Sequence, residues 1–176
     1  VFRFKTPAGT TVFSDIIYGD NETDNDEIGD FIILRSDGSP TYNLCAVVDD
    51  HLLAITHVIR GEDHLSNTPK QILIYNALKL KQPTFAHLPM ILGSNKKRLS
   101  KRFGAKGIQN FKNDGYLNIT LMNYLAMLGW NPGNEKEIFS FDELINDFDL
   151  KKVQKKSAIW DSQKLNWISN QHISFM

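Results

Sequence analysis

The chain has 176 residues with 20 basic and 20 acidic side chains, and 41% of it is hydrophobic, which is ordinary for a globular protein. The zero net charge argues against a protein that coats nucleic acid over its whole surface, although it allows a local basic site. The single cysteine, Cys45, excludes an intrachain disulfide and fits a reducing compartment, and no apolar run is long enough to span a membrane.

The first part of the chain predicts strands and turns. Residues 1–5, VFRFK, alternate like a half-buried strand, and because the sequence opens inside that strand we expect it to be a piece of a longer chain. Residues 19–30, GDNETDNDEIGD, are acidic with almost no apolar side chain, which favours a solvated loop or turn. Residues 30–44, DFIILRSDGSPTYNL, predict two strands around the turn SDGSP.

A strand, a tight turn and a helix come next. Residues 52–59, LLAITHVI, predict a strand, and the turn RGED leads into a helix with Thr68 as N-cap and Pro69 as first residue. A unit of this kind places ligands at the carboxyl end of the strand. Residues 85–92, FAHLPMIL, predict a further short strand.

The last third of the chain predicts mostly helices. Residues 117–130, LNITLMNYLAMLGW, predict an apolar helix that stops at Gly129. Ser140 and Glu143 have the spacing of a capping box, and Asp161 is a predicted N-cap of the final helix. The predicted secondary structure changes from α/β to mostly helical near residues 104–113.

A cluster of positive charge lies between these two parts, in the segment KKRLSKRFGAK. Glycines precede and follow it, so the sequence predicts a mobile loop whose cations close around a polyphosphate and stabilise charge on a leaving group. A solvated surface loop and a localisation signal are the alternatives. Its cations are Lys96, Lys97, Arg98, Lys101, Arg102 and Lys106.

The turn VIRGEDHLSNTP carries a second candidate site. Arg60 follows a predicted strand, where a guanidinium can hold a carboxylate through two parallel hydrogen bonds. The alternative is a structural ion-pair cluster of Arg60, Glu62 and Asp63 at the start of a helix. Residues 49–51, DDH, are a weak candidate metal site, because neighbouring residues on a strand point to opposite faces.

Together these segments resemble a known family. Residues 35–75, RSDGSPTYNLCAVVDDHLLAITHVIRGEDHLSNTPKQILIY, and residues 87–105, HLPMILGSNKKRLSKRFGA, are similar to bacterial-type glutamyl-tRNA synthetases, which are class I aminoacyl-tRNA synthetases. RLSKR, residues 98–102, corresponds to their KMSKS-type ATP loop, with Arg in place of the usual opening Lys. Residues 115–173 resemble the helical stem-contact domain of that family.

The resemblance implies an α/β fold: the second half of a class I Rossmann-type catalytic domain, followed by a mostly helical stem-contact domain. It implies three parts: residues 1–35 as the end of the inserted acceptor-binding region with a return strand, residues 36–107 as the second half of the catalytic domain, and residues 108–176 as the stem-contact domain. The class I signature HIGH and an anticodon-binding domain are not in the sequence. The chain alone is therefore expected to hold half an active site and to be inactive.

Site residues follow from the same resemblance, position by position. Tyr42 and Arg60 are expected to bind the glutamate substrate. Lys101 is expected to be catalytic, because its ammonium can stabilise the leaving pyrophosphate. The expected ATP-binding residues are Asp63, His64, Ile91, Arg98, Leu99, Ser100, Lys101 and Arg102.

The implied reaction has two steps. Glutamate attacks the α-phosphate of ATP to give glutamyl-adenylate and pyrophosphate, and the terminal ribose of tRNA(Glu) then takes the glutamyl group. The resemblance implies Mg²⁺ with the ATP, no metal site and no zinc in this segment, a cytoplasmic location, no membrane partner, and a monomeric parent enzyme.

Two alternatives stay open. A glutamyl-queuosine-tRNA(Asp) synthetase shares much of this motif set but lacks the long helical continuation. A non-catalytic tRNA-binding module is the alternative from a different class, because the HIGH half is missing from these residues.

Overall fold

The computed structural model describes residues 1–99 and 107–174. It contains two compact units, Val1–His87 and Leu88–Met176. The predicted α/β character of the first part and helical character of the last part are confirmed. The predicted division into three parts at residues 35 and 107 refers to the domains of the related family. The two compact units do not test it, so it stays a prediction.

The first unit is built from six strands and three helices. Its strands are β1 (Phe2–Phe4), β2 (Thr10–Asp15), β3 (Gly19–Asp24), β4 (Phe31–Leu34), β5 (His57–Gly61) and β6 (Thr84–Leu88). Its helices are α1 (Asn25–Ile28), α2 (Tyr42–Leu52) and α3 (Thr68–Ala77), and a 3₁₀ turn (Glu62–Asn67) joins β5 to α3.

Four of these strands form one sheet in the order β3-β2-β6-β5. Strands β2 and β3 are antiparallel from Thr10↔Asp24 to Asp15↔Gly19, whereas β2 and β6 are parallel, with Asp15 opposite Phe85. Strands β1 and β4 form a separate antiparallel pair. The parallel pair brings the end of β2 beside β6, although 69 residues lie between Asp15 and Phe85 in the chain.

The core of the first unit lies between this sheet and the helices. Its buried members come from β2, α2, α3 and β6, and burial of such side chains supplies most of the stabilisation of a domain of this size. They are Phe13, Val47, Ile72, Ile74, Tyr75 and Phe85.

The prediction of a solvated loop for residues 19–30 is wrong. Gly19–Asp24 is strand β3, and Asn25–Ile28 is a helical turn capped by the Asp24 side chain. The strand needs no apolar face, because the backbone of β2 supplies its hydrogen bonds along the whole length. Asn25 is buried and its side chain accepts from Thr11 Oγ1 at 2.6 Å, which anchors the end of the hairpin.

The second strand predicted around SDGSP is also wrong. Tyr42–Leu52 is helix α2, and only Pro40 makes a single bridge back to Leu34. Strand β5 begins at His57, five residues later than predicted, because α2 takes up Leu52. The residues DDH therefore lie on a helix and not on a strand.

Two further boundaries differ by a small amount. Asn67 is the N-cap of α3, so Thr68 is its first residue and Pro69 lies in the first turn. The predicted strand FAHLPMIL is two strands, β6 and β7 (Ile91–Leu92), separated at Pro89. Proline cannot donate a ladder hydrogen bond, which explains the interruption.

The second unit is mostly helical. Its strands β7 and β8 (Ala158–Ile159) form one parallel pair. Its helices are α4 (Ile108–Asn113), α5 (Asn118–Met127), α6 (Phe141–Asp147) and α7 (Ser162–Ser174), with a 3₁₀ turn at Leu150–Lys152.

The predicted helix starts of this unit are confirmed. Ser140 N donates to Glu143 Oε2 at 2.9 Å while Glu143 N donates to Ser140 Oγ at 3.3 Å, which is a complete capping box. Asp161 Oδ1 accepts from the backbone of Gln163 and Lys164 at the start of α7.

Helices α5 and α7 pack on each other to form the core of the second unit. Leu121 and Tyr124 of α5 meet Leu165 and Ile168 of α7, and the Tyr124 hydroxyl accepts from Asp161 N at 2.7 Å. Among the described residues, no helix is long and apolar enough to cross a membrane.

Candidate substrate-binding site around Arg60

The centre of the candidate site is the Arg60 guanidinium near the end of β5. Its Nε donates to His87 Nε2 at 3.1 Å, and its NH2 group donates to Thr68 Oγ1 at 2.8 Å and Gln71 Oε1 at 2.9 Å. Its NH1 group is 3.4 Å from the Tyr42 hydroxyl. These partners are uncharged groups from α2, α3 and β6, so the guanidinium keeps its full charge for an anion from outside.

A buried pair of side chains lies directly behind Arg60. His87 Nδ1 is 2.6 Å from Asp15 Oδ2, and both side chains are fully buried. Burial by itself raises the pKa of Asp15, but hydrogen bonds from the Tyr18 backbone, the His87 side chain and the Ile17 backbone outweigh it and hold this pKa below its usual range. Asp15 is therefore a carboxylate at neutral pH.

His87 is neutral beside this carboxylate. Burial lowers the pKa of His87 below its usual value, and the Arg60 charge lowers it further, against the opposing effect of Asp15. Because Arg60 Nε is a donor, His87 Nε2 must accept, which puts the single ring proton on Nδ1, facing Asp15. The three groups form a chain from carboxylate through imidazole to guanidinium.

The hydrogen bonds leave one edge of Arg60 for a ligand. The Nε proton and both NH2 protons have protein acceptors, whereas within residues 1–99 and 107–174 NH1 has only the long contact with Tyr42. The Tyr42 hydroxyl accepts from NH1, so its own proton can be donated elsewhere, and its side chain is 49% exposed. A carboxylate can thus be held by Arg60 NH1 together with the Tyr42 hydroxyl.

Asp63 and His64 lie on the 3₁₀ turn that follows β5. The His64 ring is 5.4 Å from the Tyr42 ring, so it borders the open edge of Arg60. A side chain at Gly61 would place its Cβ only 2.5 Å from Asp63 Oδ1, which explains the glycine before the turn. Four sequence-predicted residues of the first unit, Tyr42, Arg60, Asp63 and His64, therefore lie on α2, β5 and this one turn.

The other predicted ATP-binding residues belong to the second unit. Leu99 N donates to Ile91 O at 2.9 Å, and Arg98 makes an isolated bridge with Leu92. These contacts place Ile91, Arg98 and Leu99 in one short hairpin that begins with β7. Ser100, Lys101 and Arg102 lie outside the described residues.

No group of three or more His, Cys, Asp or Glu is placed to hold a metal ion in the described part of the chain. Asp49 and Asp50 of the weak candidate DDH lie on α2. Burial raises the pKa of Asp50, and Asp49 adds to this effect while Arg60 opposes it.

The sequence did not indicate four residues around Arg60. They are Asp15, Gln71, His87 and Thr68, the last of which was predicted only as a helix cap and not as a hydrogen-bond acceptor for Arg60. The sequence shows no partner for His87 at ligand spacing, which by itself favours a packing or surface histidine. Its partner Asp15 is 72 positions away and reaches it through the parallel pairing of β2 with β6. A buried polar residue in the apolar segment FAHL was the available signal, since buried histidines need partners.

Comparison with known proteins is consistent with this geometry. The family described as tRNA synthetases class I (E and Q), catalytic domain, matches residues 1–167. A glutamate–tRNA ligase of Sulfurihydrogenibium sp. is 54% identical over 173 residues, covering 98% of this chain and 36% of that protein. A glutamate–tRNA ligase of Aquifex aeolicus is also 54% identical, covering 97% and 37%.

Solved structures agree with these relatives. The crystal structure of a glutamate–tRNA ligase from Elizabethkingia meningosepticum in complex with its amino acid superposes with a TM-score of 0.88 at 36% identity, covering 99% of this chain and 38% of that one. Glutamate–tRNA synthetase of Elizabethkingia anophelis gives a TM-score of 0.87, also at 36% identity, covering 99% and 39%. The chain thus spans little more than a third of the length of its relatives.

Proposed function

The chain belongs to the class I tRNA synthetases of the glutamate and glutamine type, and from this premise we propose that it carries part of the active site of a glutamate–tRNA ligase. Glutamate attacks the α-phosphate of ATP, giving glutamyl-adenylate and pyrophosphate, and the terminal ribose of tRNA(Glu) then takes the glutamyl group. The chain needs no protein nucleophile for this route, because positioning and electrostatic stabilisation carry the catalysis.

Arg60 and Tyr42 are proposed to bind the side-chain carboxylate of glutamate. The observation that carries the proposal is the set of neutral partners around Arg60, which fix Nε and NH2 and leave NH1 with the Tyr42 hydroxyl. Glutamine in this pocket would bring an uncharged amide to the guanidinium, and a site built to bind a charged group discriminates against a ligand that leaves that group unpaired.

From the family match, Asp63, His64 and the Ile91 backbone are proposed to bind ATP. Residues 98–102 are proposed to close over its phosphates, with Lys101 stabilising the pyrophosphate as it leaves. Mg²⁺ is proposed to arrive with the phosphates of ATP rather than in a protein cage, and, as the resemblance implies, no zinc is expected in this segment.

The distribution of charge supports a polyanionic ligand for residues 96–106, which hold six of the 13 cations of the second unit. Leu88–Met176 has 13 Lys and Arg against 8 Asp and Glu, whereas Val1–His87 has 7 against 12. The chain is neutral only because a net charge of +5 in one unit cancels −5 in the other. Outside residues 96–106 the excess disappears, because residues 108–176 have 7 Lys and Arg against 8 Asp and Glu. From the family match over residues 1–167 we propose residues 108–176 as a stem-contact domain with tRNA as its partner, in a monomeric cytoplasmic enzyme.

The second candidate is a non-catalytic tRNA-binding module. The observation in its favour is that the 176 residues contain no HIGH signature, so the ATP site they carry is incomplete. ATP–pyrophosphate exchange in the complete natural protein separates the two functions, because a binding module has no exchange activity.

The test is exchange driven by glutamate in the presence of tRNA(Glu). We expect activity with glutamate, none with glutamine, and a large loss on Lys101→Ala, which removes the cation proposed to meet the pyrophosphate. Lys81→Ala, a change of the same kind at an exposed site of the first unit, is the control. Wild-type protein without exchange, or unchanged kinetics in the Lys101 variant, would contradict the proposal.

A further inference from the structure

The buried pair Asp15–His87 has no role in the ligand contacts proposed above, yet it is directly attached to them. Asp15 lies at the end of β2 and accepts from the backbone of Ile17 and Tyr18, both at 2.9 Å, through Oδ1. Its other oxygen, Oδ2, faces His87 Nδ1 at 2.6 Å. The carboxylate is therefore fixed on one side by the backbone and directs its free oxygen at the imidazole.

We propose that Asp15 and His87 are positioning residues that hold the Arg60 guanidinium with NH1 directed to the ligand. This inference rests on the proposed function, in which Arg60 binds the glutamate side chain. Neither residue touches the substrate in the proposal. They act through Arg60, as the partners behind a ligating histidine act through that histidine.

The tautomer of His87 is the physical link between the two residues. With Asp15 ionised, the ring proton stays on Nδ1, and Nε2 presents a lone pair to Arg60 Nε at 3.1 Å. Thr68 Oγ1 also lies 3.1 Å from Nε2 and 2.8 Å from Arg60 NH2, so it connects the same two groups. Rotation of the guanidinium would break the Nε and NH2 hydrogen bonds together.

The charged surroundings of His87 favour this neutral form. Asp15 faces it from β2, Arg60 from β5 and His64 from the 3₁₀ turn, and the α3 partner Thr68 is uncharged. Burial and the Arg60 charge lower the pKa of His87, whereas Asp15 raises it, and the balance is a lowered pKa. A protonated ring would present N–H to Arg60 instead of a lone pair.

Asp15→Asn is the decisive variant, because it changes one atom and keeps the shape. The amide oxygen can keep the backbone hydrogen bonds, so the amide nitrogen takes the place of Oδ2 and donates to His87 Nδ1. The ring proton must then move to Nε2, where it opposes the Arg60 Nε–H. In catalytic triads the same change leaves the geometry intact and produces the wrong tautomer.

His87→Gln is the conservative counterpart. Its amide oxygen can reach the position of Nε2 and accept from Arg60 Nε, although it loses the bond to Asp15 and cannot titrate. A role in positioning predicts that this variant keeps more glutamate affinity than Asp15→Asn. A role only in packing predicts no such order.

The experiment measures exchange kinetics in the complete natural protein that contains this chain. Asp15→Asn is expected to raise the KM for glutamate about 10- to 100-fold, the range found when an orienting partner is removed, and to leave the KM for ATP near the wild-type value. His87→Gln is expected to show a smaller increase and to lose the rise of KM that protonation of His87 causes in the wild type, at a pH below the ordinary histidine range because burial lowers the pKa of His87. Asp20→Asn, at an exposed position of β3, is the matched control.

A wild-type KM for glutamate in Asp15→Asn would overturn the inference. Nitrogen-15 NMR of histidine-labelled wild-type protein gives an answer even where a variant does not fold: a His87 proton on Nδ1 supports the inference, and a proton on Nε2 overturns it. Failure of the proposed function has a different signature, because the wild type would then show no glutamate-dependent exchange while the NMR result would still report the state of His87.

Discussion

Arg60 Nε lies 3.1 Å from His87 Nε2, so a permanently charged guanidinium donates to an imidazole that has to stay neutral. Asp15, on the far side of the ring, makes this arrangement stable by holding the proton on Nδ1. The charge of Arg60 is thus supported by a buried carboxylate that it does not touch. Among the described residues, the hydrogen-bond partners of Arg60 include no carboxylate, so an incoming carboxylate can bind at NH1.

The first prediction concerns the dependence of stability on pH. The pKa of His87 in the folded chain lies below the value of about 6.5 of an exposed histidine, so the unfolded chain binds more protons in the range below pH 6.5. Stability is fully present above pH 6.5 and falls as the pH drops toward the folded pKa. We expect a lower melting temperature at pH 5.5 than at pH 7.5.

His87→Gln should reduce this change of melting temperature without abolishing it, because burial also lowers the pKa of His172. Asp15 does not contribute to the change of melting temperature between these two pH values. Its stabilisation is lost only below about pH 3.8, where its carboxylate begins to titrate in the unfolded chain. His57→Gln, at an exposed histidine, is the control. An equal pH effect in both variants would show that His87 is not the titrating group.

The second prediction is that Arg60→Lys loses glutamate recognition although it keeps the charge. An ammonium cannot reach His87, Thr68 and Gln71 at once and still present a donor beside Tyr42, because these contacts use the planar fork of the guanidinium. Loss of one charge-assisted hydrogen bond corresponds to about 10- to 100-fold in glutamate-dependent exchange.

Arg35→Lys is the matched control for this change. Arg35 is exposed, and its NH1 group donates to Ser39 Oγ and Pro40 O within the turn before α2. Exchange by Arg60→Lys within about threefold of the wild type would contradict the role assigned to the fork.

How far the sequence predicts this site depends on the distance between partners along the chain. Arg60, Asp63 and His64 are near neighbours, and one motif indicates them together. Asp15 and His87 become partners only through the parallel pairing of β2 with β6, and no local pattern contains that information. Long-range pairing of strands is the part of the site that required the structure.

The fold shows the same division between local and distant causes. The Ser140–Glu143 capping box was predictable because both partners lie within one helical turn. The strand Gly19–Asp24 was not, since its polar residues carry no strand pattern and its hydrogen bonds come from β2. The turn SDGSP predicts a returning strand that includes Tyr42, but Tyr42 begins α2, which packs on α3.

The third prediction concerns Asn123, which is fully buried in α5. Its Nδ2 donates to Glu137 O at 2.9 Å and its Oδ1 accepts from Phe139 N at 2.8 Å, so one side chain satisfies two backbone groups of the segment before α6. Asn123→Ala leaves both unpaired, at about 1–3 kcal/mol each, and we expect a loss of more than about 2 kcal/mol in denaturant unfolding. Asn170→Ala, exposed on α7, should be neutral or slightly stabilising. Equal midpoints for both variants would argue against this role.

The fourth prediction concerns the edge of the sheet in the first unit. Strand β5 is an outer strand in the order β3-β2-β6-β5, and Leu52, Leu53 and Ile59, which lead into it or lie on it, are 74%, 73% and 49% exposed. An open edge with apolar neighbours favours association, so we expect the 176-residue chain to self-associate as its concentration rises in sedimentation velocity.

The double change Leu52→Lys and Leu53→Lys should weaken this association, because lysine beside an edge strand opposes pairing with another copy. Leu78→Lys, at a leucine that is 50% exposed at the end of α3, is the control and should leave association unchanged. A wild-type chain that stays monomeric at every concentration would mean that this edge and its leucines do not drive association.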